Sequence, residues 1–217
     1  MLIRTPNVYR PQSDTWLLAE ALAEAALPRG GRAVDICSGT GALAVHAGLS
    51  GASSVTAVDI SRAAATATWL NCRLHGIKAE ILCGDFEKAL SHRRFDVLLA
   101  NPPYVPAHHR EPVRGRTRAW HAGHDGRSIL DRLCALTPTL LAANGTALIV
   151  HSTVSDPDLT ISQLRDGGLK AAAVARATIP FGPVMRRCAN HLLASGLIQT
   201  GQEYEELVVI RADKTRK

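Results

Sequence analysis

Four consecutive residues, Asn101-Pro102-Pro103-Tyr104, have the chemistry to hold a planar amino group. They follow Phe95 to Ala100, a near-continuous apolar run of the kind found in strands buried on both faces. Each proline lacks a backbone donor and forces its predecessor out of the helical region, so Asn101 and Pro102 are held extended with fixed carbonyl directions. The Asn101 side-chain oxygen and the Pro102 backbone oxygen then form two convergent acceptors for the hydrogens of an –NH₂ group. Such a grip aims the nitrogen at an electrophile while Tyr104 packs over the plane. The bland alternative is a bare Asn-Pro turn, and the position directly after a buried strand argues against it.

A second constellation lies upstream. Val34 to Gly41 reads as an apolar strand carrying Asp35 near its end, then a turn with Gly39 and Gly41 that enters a helix. Glycines there let backbone approach a ligand at the carboxyl end of a strand. The dinucleotide fingerprint needs a third glycine, and position 44 is Ala. Asp35 would also repel a pyrophosphate, whereas it suits a cationic or zwitterionic ligand; S-adenosyl-L-methionine, with an ammonium and a sulfonium, fits. Asp59 closes the next strand and could accept both hydroxyls of a ribose. Asp85 follows the third and could accept from an adenine amino group, with Phe86 against the ring. Singly, each aspartate reads equally well as a helix cap; three in register after successive strands carry more weight.

The elements that must position these residues alternate between strand and helix patterns. An opening helix spans 13–26, with strands at 32–37, 55–60, 80–83 and 95–100, and helices at 42–50 and 62–75 between them. After an irregular stretch, 105–127, a helix covers 128–143, a strand 146–151 and a helix 156–166. Strands at 169–179 and 206–212 close the chain, with a helix over 183–195 between them. This alternation predicts an α/β fold: a Rossmann-like, seven-stranded, mostly parallel sheet with helices on both faces and an antiparallel closing strand. The 217 residues are expected to form one domain, 1–30 as an N-terminal cap segment and helix and 31–217 as the core.

Composition excludes several classes. Apolar residues at 46% and charged residues at 20% exclude a disordered chain. Five scattered cysteines, with no C-x-x-C, indicate neither a disulfide framework nor a zinc ribbon and suit a reducing cytoplasm. No signal peptide or membrane-length apolar run is legible, so a cytoplasmic location is expected. The net charge of +6 permits an anionic partner without demanding one.

Asn-Pro-Pro-Tyr together with Asp-x-x-x-Gly-x-Gly resembles the amino-group branch of class I S-adenosylmethionine-dependent methyltransferases. Within it, the chain is similar to the HemK/PrmC-type glutamine N5-methyltransferases, in the short form that lacks the N-terminal helical domain. Val8 to Thr15 resembles that form's opening Val-Tyr-x-Pro-x-x-Asp-Thr, and Ala119 to Arg127 its Trp-x-Gly-Gly-x-x-Gly stretch. The resemblance runs from Val8 to about Val150. Two departures stand out: Cys37 where the pattern has glycine, and an Arg-rich run from His108 to Arg118.

The resemblance implies that Asp35, Gly39 and Gly41 line the methionine half of the cofactor, Asp59 the ribose and Asp85 the adenine. Thr15 would reach the cofactor carboxylate. Asn101 and Pro102 would orient the acceptor amide, with Tyr104 shaping its slot. The implied reaction is methyl transfer to a glutamine amide of a protein such as a peptide release factor, with a small zinc-binding activator subunit as a further partner. Adenine presents the same planar –NH₂, so adenine-N6 methylation of DNA or RNA is the main rival, and a small-molecule acceptor a further one. Few aromatics are available for base stacking, and Arg110, Arg114, Arg116 and Arg118 read more simply as a solvated run than as a nucleic-acid patch. His108, His109, His121 and His124 lack a matching Cys or carboxylate cluster, so no metal site is expected.

Overall fold

The computed structural model describes residues 2–3, 6, 8–25, 30–106 and 122–215. The Arg- and His-rich run 108–118 and Trp120 lie outside them. Helix α1 (Ser13–Glu24) precedes the first strand, β1 (Arg32–Ile36), which leads into α2 (Ala42–Leu49). Then follow β2 (Ser54–Asp59), α3 (Arg62–Leu74), β3 (Ala79–Cys83), the single-turn α4 (Phe86–Ala89) and β4 (Phe95–Ala100). The second half comprises α5 (Ser128–Leu140), β5 (Leu141–Ser152), α6 (Pro157–Asp166), β6 (Lys170–Pro180), α7 (Pro183–Ala194) and β7 (Tyr204–Asp213).

The seven strands form one sheet in the order β3-β2-β1-β4-β5-β7-β6. Neighbours pair in parallel from β3 through β5, and β7 runs antiparallel to both β5 and β6. The order reverses between β1 and β4, and an open α/β sheet leaves a crevice at the carboxyl ends of its strands there.

Both faces of the sheet are covered, which is why β4 is apolar at nearly every position. Leu98 and Ala100 face Leu130, Leu133 and Leu164 from α5 and α6. Val97 and Leu99 face Leu18, Leu22 and Leu43 from α1 and α2. Burying side chains of this size contributes roughly 1.5–3 kcal/mol each. Helix α7 carries Met185 and Leu192 into a separate cluster with Val105, Val154, Phe181 and Ile198.

Most boundaries fall within two residues of the expectation, and the largest difference lies between α5 and β5. The helix expected over 128–143 ends at Leu140, and β5 begins at Leu141 rather than 146. Leu141 pairs with Phe95, and the register then shifts before Val97 meets Thr146. Pairing with β4 outweighs the helix preference of Ala142 and Ala143, and the shift is absorbed at Asn144, whose φ is +62°.

Candidate active site at the carboxyl edge of the sheet

The turn after β1 has three residues in the left-handed region: Cys37 (φ +62°), Gly39 (φ +54°) and Gly41 (φ +79°). Gly41 also admits no side chain, because a Cβ would come within 2.8 Å of Thr68 Cγ2. Helix α3 braces the turn. Thr68 Oγ1 donates to the Gly39 carbonyl at 3.1 Å, and Asn71 Nδ2 donates to the Thr40 carbonyl at 2.9 Å. Asp59, at the end of β2, accepts from the Gly39 N–H at 2.9 Å and the Ser61 N–H at 2.8 Å. Burial raises its carboxyl above the usual range, and those two N–H donors oppose the rise.

Asp35 sits differently from the role expected of it. Only 1% exposed, it lies beneath the turn and does not line the cavity. Its Oδ2 accepts from the Ala44 N–H at 2.9 Å, in the first turn of α2. The N-cap of that helix is Gly41, which has no side chain to offer, so Asp35 supplies the capping carboxylate from the neighbouring strand. Burial pushes its pKa up to about 8, and Oδ1 has no hydrogen-bond partner among the described residues. Gly41 is likewise absent from the cavity wall, its part being the turn itself.

Asp85 caps α4 by accepting from the Glu87 N–H at 3.1 Å. Its Oδ2 receives Arg132 Nη2 at 2.7 Å, and that guanidinium lies 4.8 Å from the centroid of the buried Phe86 ring. The arginine's hydrogen bond holds Asp85 below the ordinary carboxylate range.

Beyond β4, Asn101 Nδ2 donates to Thr15 Oγ1 at 3.2 Å, which turns Oδ1 away from α1. Asp14 is the hub of this side. Its Oδ2 accepts from the Tyr9 hydroxyl at 2.6 Å and the Tyr104 hydroxyl at 3.3 Å, and its Oδ1 accepts from Thr15 Oγ1 at 3.1 Å. Burial, reinforced by the Asp14 charge, keeps both phenols well above their ordinary pKa and therefore protonated. The Tyr104 carbonyl accepts from Ser155 Oγ, and the Ser155 carbonyl accepts from the buried Arg127 guanidinium. Arg127 also reaches Thr160 Oγ1 at 3.1 Å and Gln163 Oε1 at 3.0 Å, clamping α6 to the start of α5.

One cavity of about 800 Å³ joins these groups. Its wall includes Thr15, Gly39, Asp59, Asp85, Phe86, Asn101, Pro102 and Tyr104, together with Tyr9, Asp14 and Glu205. Tyr9 and Asp14 fall within the Val8–Thr15 stretch; Asp14 is expected from the sequence only as a possible cap of the opening helix, whose N-cap is Gln12. Glu205 is not among the residues the sequence motifs point to. Its signal was an acid on the buried stripe it shares with Leu207 and Val209. Among the described residues, no group of three or more His, Cys, Asp or Glu is placed to hold a metal ion.

Residues 6–116 match the methyltransferase small domain family. A putative protein N5-glutamine methyltransferase of Methanocaldococcus jannaschii is 31% identical over 182 residues, covering 83% of this chain and 90% of that protein. The chain belongs to this methyltransferase family. Human methyltransferase HEMK2 is 32% identical over 174 residues, covering 76% of this chain and 80% of the human one. A release factor glutamine methyltransferase of Bordetella pertussis is 31% identical, and the match spans 64% of its length.

Solved structures place the methyltransferase in the same fold. Mtq2 of E. cuniculi, in a complex with Trm112 described as responsible for methylating the eRF1 termination factor, superposes with TM-score 0.59 at 18% identity, over 96% of this chain and 99% of that one. The T. thermophilus 16S rRNA N2 G1207 methyltransferase, bound to AdoMet and guanosine, gives TM-score 0.59 at 22% identity, over 94% of this chain and 44% of that one. No described helix of the methyltransferase is long and apolar enough to cross a membrane.

Proposed function

We propose that this methyltransferase transfers the methyl group of S-adenosyl-L-methionine to the side-chain amide nitrogen of a glutamine in a protein, the Gly-Gly-Gln tip of a peptide release factor being the favoured acceptor. One observation carries the reading: the Asn101 amide is tied through Nδ2 to Thr15, leaving its oxygen to receive an acceptor N–H beside the Pro102 carbonyl. The identities of the relatives, protein glutamine methyltransferases among them, support it.

The cavity suits the cofactor. Its volume of about 800 Å³ lies within the common range for small-molecule sites, about 300–1,000 Å³. When bound, S-adenosyl-L-methionine supplies an electrophilic sulfonium methyl. In this reading the Gly39 turn and Asp59 hold the methionine and ribose parts, and Phe86 lies under the adenine with Asp85 at its rim. Asp35 acts from beneath, holding the N-terminus of α2 under the turn through the Ala44 N–H. Asn101 and Pro102 hold the acceptor amide by both hydrogens, and Tyr104, fixed by Asp14, closes its slot.

An amide nitrogen is a weak nucleophile because its lone pair is delocalised. The protein's contribution is therefore positioning at near-attack distance, with acceptors arranged to favour a nitrogen that pyramidalises as it reacts. The chain acts as one catalytic unit, with 1–30 serving as a cap over the core 31–217. It works in the cytoplasm, and a small activator subunit, as the family resemblance implies, is its candidate partner; the E. cuniculi neighbour is itself seen in a complex, with Trm112.

The test is to incubate the protein with methyl-labelled cofactor and cell extract, then separate protein, nucleic acid and small molecules. Label in protein is expected. Label confined to nucleic acid would replace this reading with adenine methylation, and label confined to small molecules would replace it with a metabolite acceptor.

A further inference from the structure

Strand β7 runs against its neighbours, so its first residues lie at the edge where β4 and β5 end. Ser152, the last residue of β5, is in register with Leu207, and Glu205 stands two residues further towards that edge, opposite Ile179 of β6. The Glu205 side chain is in the cavity wall with Asn101, Tyr104 and Met185, yet the residue is only 4% exposed. Its Oε2 has no hydrogen-bond partner among the described residues. A buried polar atom left unpaired is costly, and in a ligand cavity the missing partner is supplied by what binds there.

The surroundings define what that partner must be. The groups acting on Glu205 are the Ser152 hydroxyl and the Asp14 carboxylate, and Glu205 in turn acts on the Tyr9 and Tyr104 phenols. Both phenols already donate to Asp14, so neither serves Glu205. A ligand that completes the site must bring a hydrogen-bond donor. The hydrogens of an acceptor amide are taken by Asn101 and Pro102 in the proposed function, on which this inference rests. On the acceptor side of the cavity, the remaining donors are those of the chain that carries the amide.

We propose that Glu205 is a specificity-determining residue whose free carboxylate oxygen accepts a backbone N–H of the peptide presenting the methyl-accepting side chain. Once ionised, the same oxygen works against a nucleobase. The adenine N7 beside the amino group is a hydrogen-bond acceptor, so it offers Glu205 a lone pair where a proton is needed. Selection of peptide over adenine is thus placed on β7, away from the four residues that grip the –NH₂ group.

The site also predicts a pH signature. Burial, with the Asp14 charge adding to it, raises Glu205 to about 7. An N–H donor favours the charged carboxylate, so peptide capture strengthens as pH rises through that value.

The experiment compares wild type, Glu205→Gln and Glu205→Asp, using a full-length release factor with a Gly-Gly-Gln tip as the probe and labelled cofactor, between pH 5.5 and 8.5. Glu205→Gln keeps an oxygen but loses the charge on it, so the expected changes are a KM for the release factor raised roughly 5- to 10-fold, kcat changed by less than about 3-fold and an unchanged cofactor Kd. The rise of kcat/KM with pH should disappear in Glu205→Gln and persist in Glu205→Asp, which keeps a carboxylate should the Gln variant fold poorly. A KM within 2-fold of wild type, a loss confined to kcat, or a pH rise that survives in Glu205→Gln would overturn the proposal. Failure of the wild-type protein to label the release factor at all would instead overturn the parent reading, and this inference with it.

Discussion

Thr15 Oγ1 accepts a hydrogen bond from Asn101 Nδ2 at 3.2 Å, joining the first turn of α1 to the end of β4 across 86 positions of the chain. This bond decides which way the Asn101 amide faces. In the proposed function Thr15, which the family resemblance assigns to the cofactor carboxylate, would have a second part: presenting the Asn101 oxygen to the acceptor. Thr15→Val removes the oxygen that Asn101 donates to and frees the amide to rotate. Turnover should fall about 10-fold with cofactor affinity changed by less than about 2-fold, measured by steady-state kinetics and calorimetry. Equal losses in both would return Thr15 to a cofactor role.

Cys37 occupies a conformation that favours glycine, at φ +62°. The left-handed region costs an L-residue about 1–2 kcal/mol, while glycine adds about 0.4–1 kcal/mol of unfolded-state entropy. Cys37→Gly should therefore stabilise the protein by about 0.5–1 kcal/mol in denaturant titration, and a destabilised variant would show that thiol packing outweighs backbone strain. Burial pushes the thiol pKa far up, so alkylating reagents at neutral pH should leave Cys37 unmodified.

Asp35 couples stability to pH. Its folded pKa of about 8 lies above the unfolded value of about 3.9, so the folded state binds the extra proton between those limits. Stability consequently declines as pH rises through that window, and the loss is complete above it. Asp35→Asn keeps an oxygen for the Ala44 N–H without the buried charge. Its melting temperature should exceed that of wild type by several degrees, roughly, at pH 8, with the gap closing towards pH 5. A gap that is constant with pH would rule out this titration as the cause.

Gly41→Ala tests the turn. The new Cβ would lie 2.8 Å from Thr68 Cγ2 and 2.9 Å from Thr68 Cα, at a φ of +79°. Strain and overlap together should cost more than about 2 kcal/mol and weaken cofactor binding as the Gly39 N–H leaves Asp59. Gly76→Ala is a useful control, because its φ of +72° imposes similar strain with no atom within 4 Å of the added carbon. If the two variants lose equal stability, the close approach to Thr68 is irrelevant.

What could be read from the chain alone was what local pattern encodes. The strand at 95–100 is placed without error because burial on both faces leaves an unbroken apolar run. The Asn-Pro-Pro-Tyr platform is legible because prolines restrict the backbone whatever surrounds them. Asp35 shows where such reading stops: an acid before a glycine turn suits a ligand or a helix N-terminus equally, and only the position of Ala44 N separates the two. The hub at Asp14 depends on Tyr9, Thr15 and Tyr104 meeting through the fold, and no spacing announces it. Local pattern extends the helix past Leu141 because the strand pairing with Phe95 is a long-range event.

In the proposed function Asn101 and Pro102 hold the side-chain amide of a glutamine for methylation. Tandem mass spectrometry of a release factor incubated with S-adenosyl-L-methionine and either wild type or Asn101→Ala tests it most directly. The expected result is one added methyl on the amide nitrogen of the Gly-Gly-Gln glutamine with wild type. With Asn101→Ala the yield should be lower by at least about 100-fold while cofactor affinity is retained. An unmodified glutamine with wild type, or normal methylation by Asn101→Ala, would contradict the account.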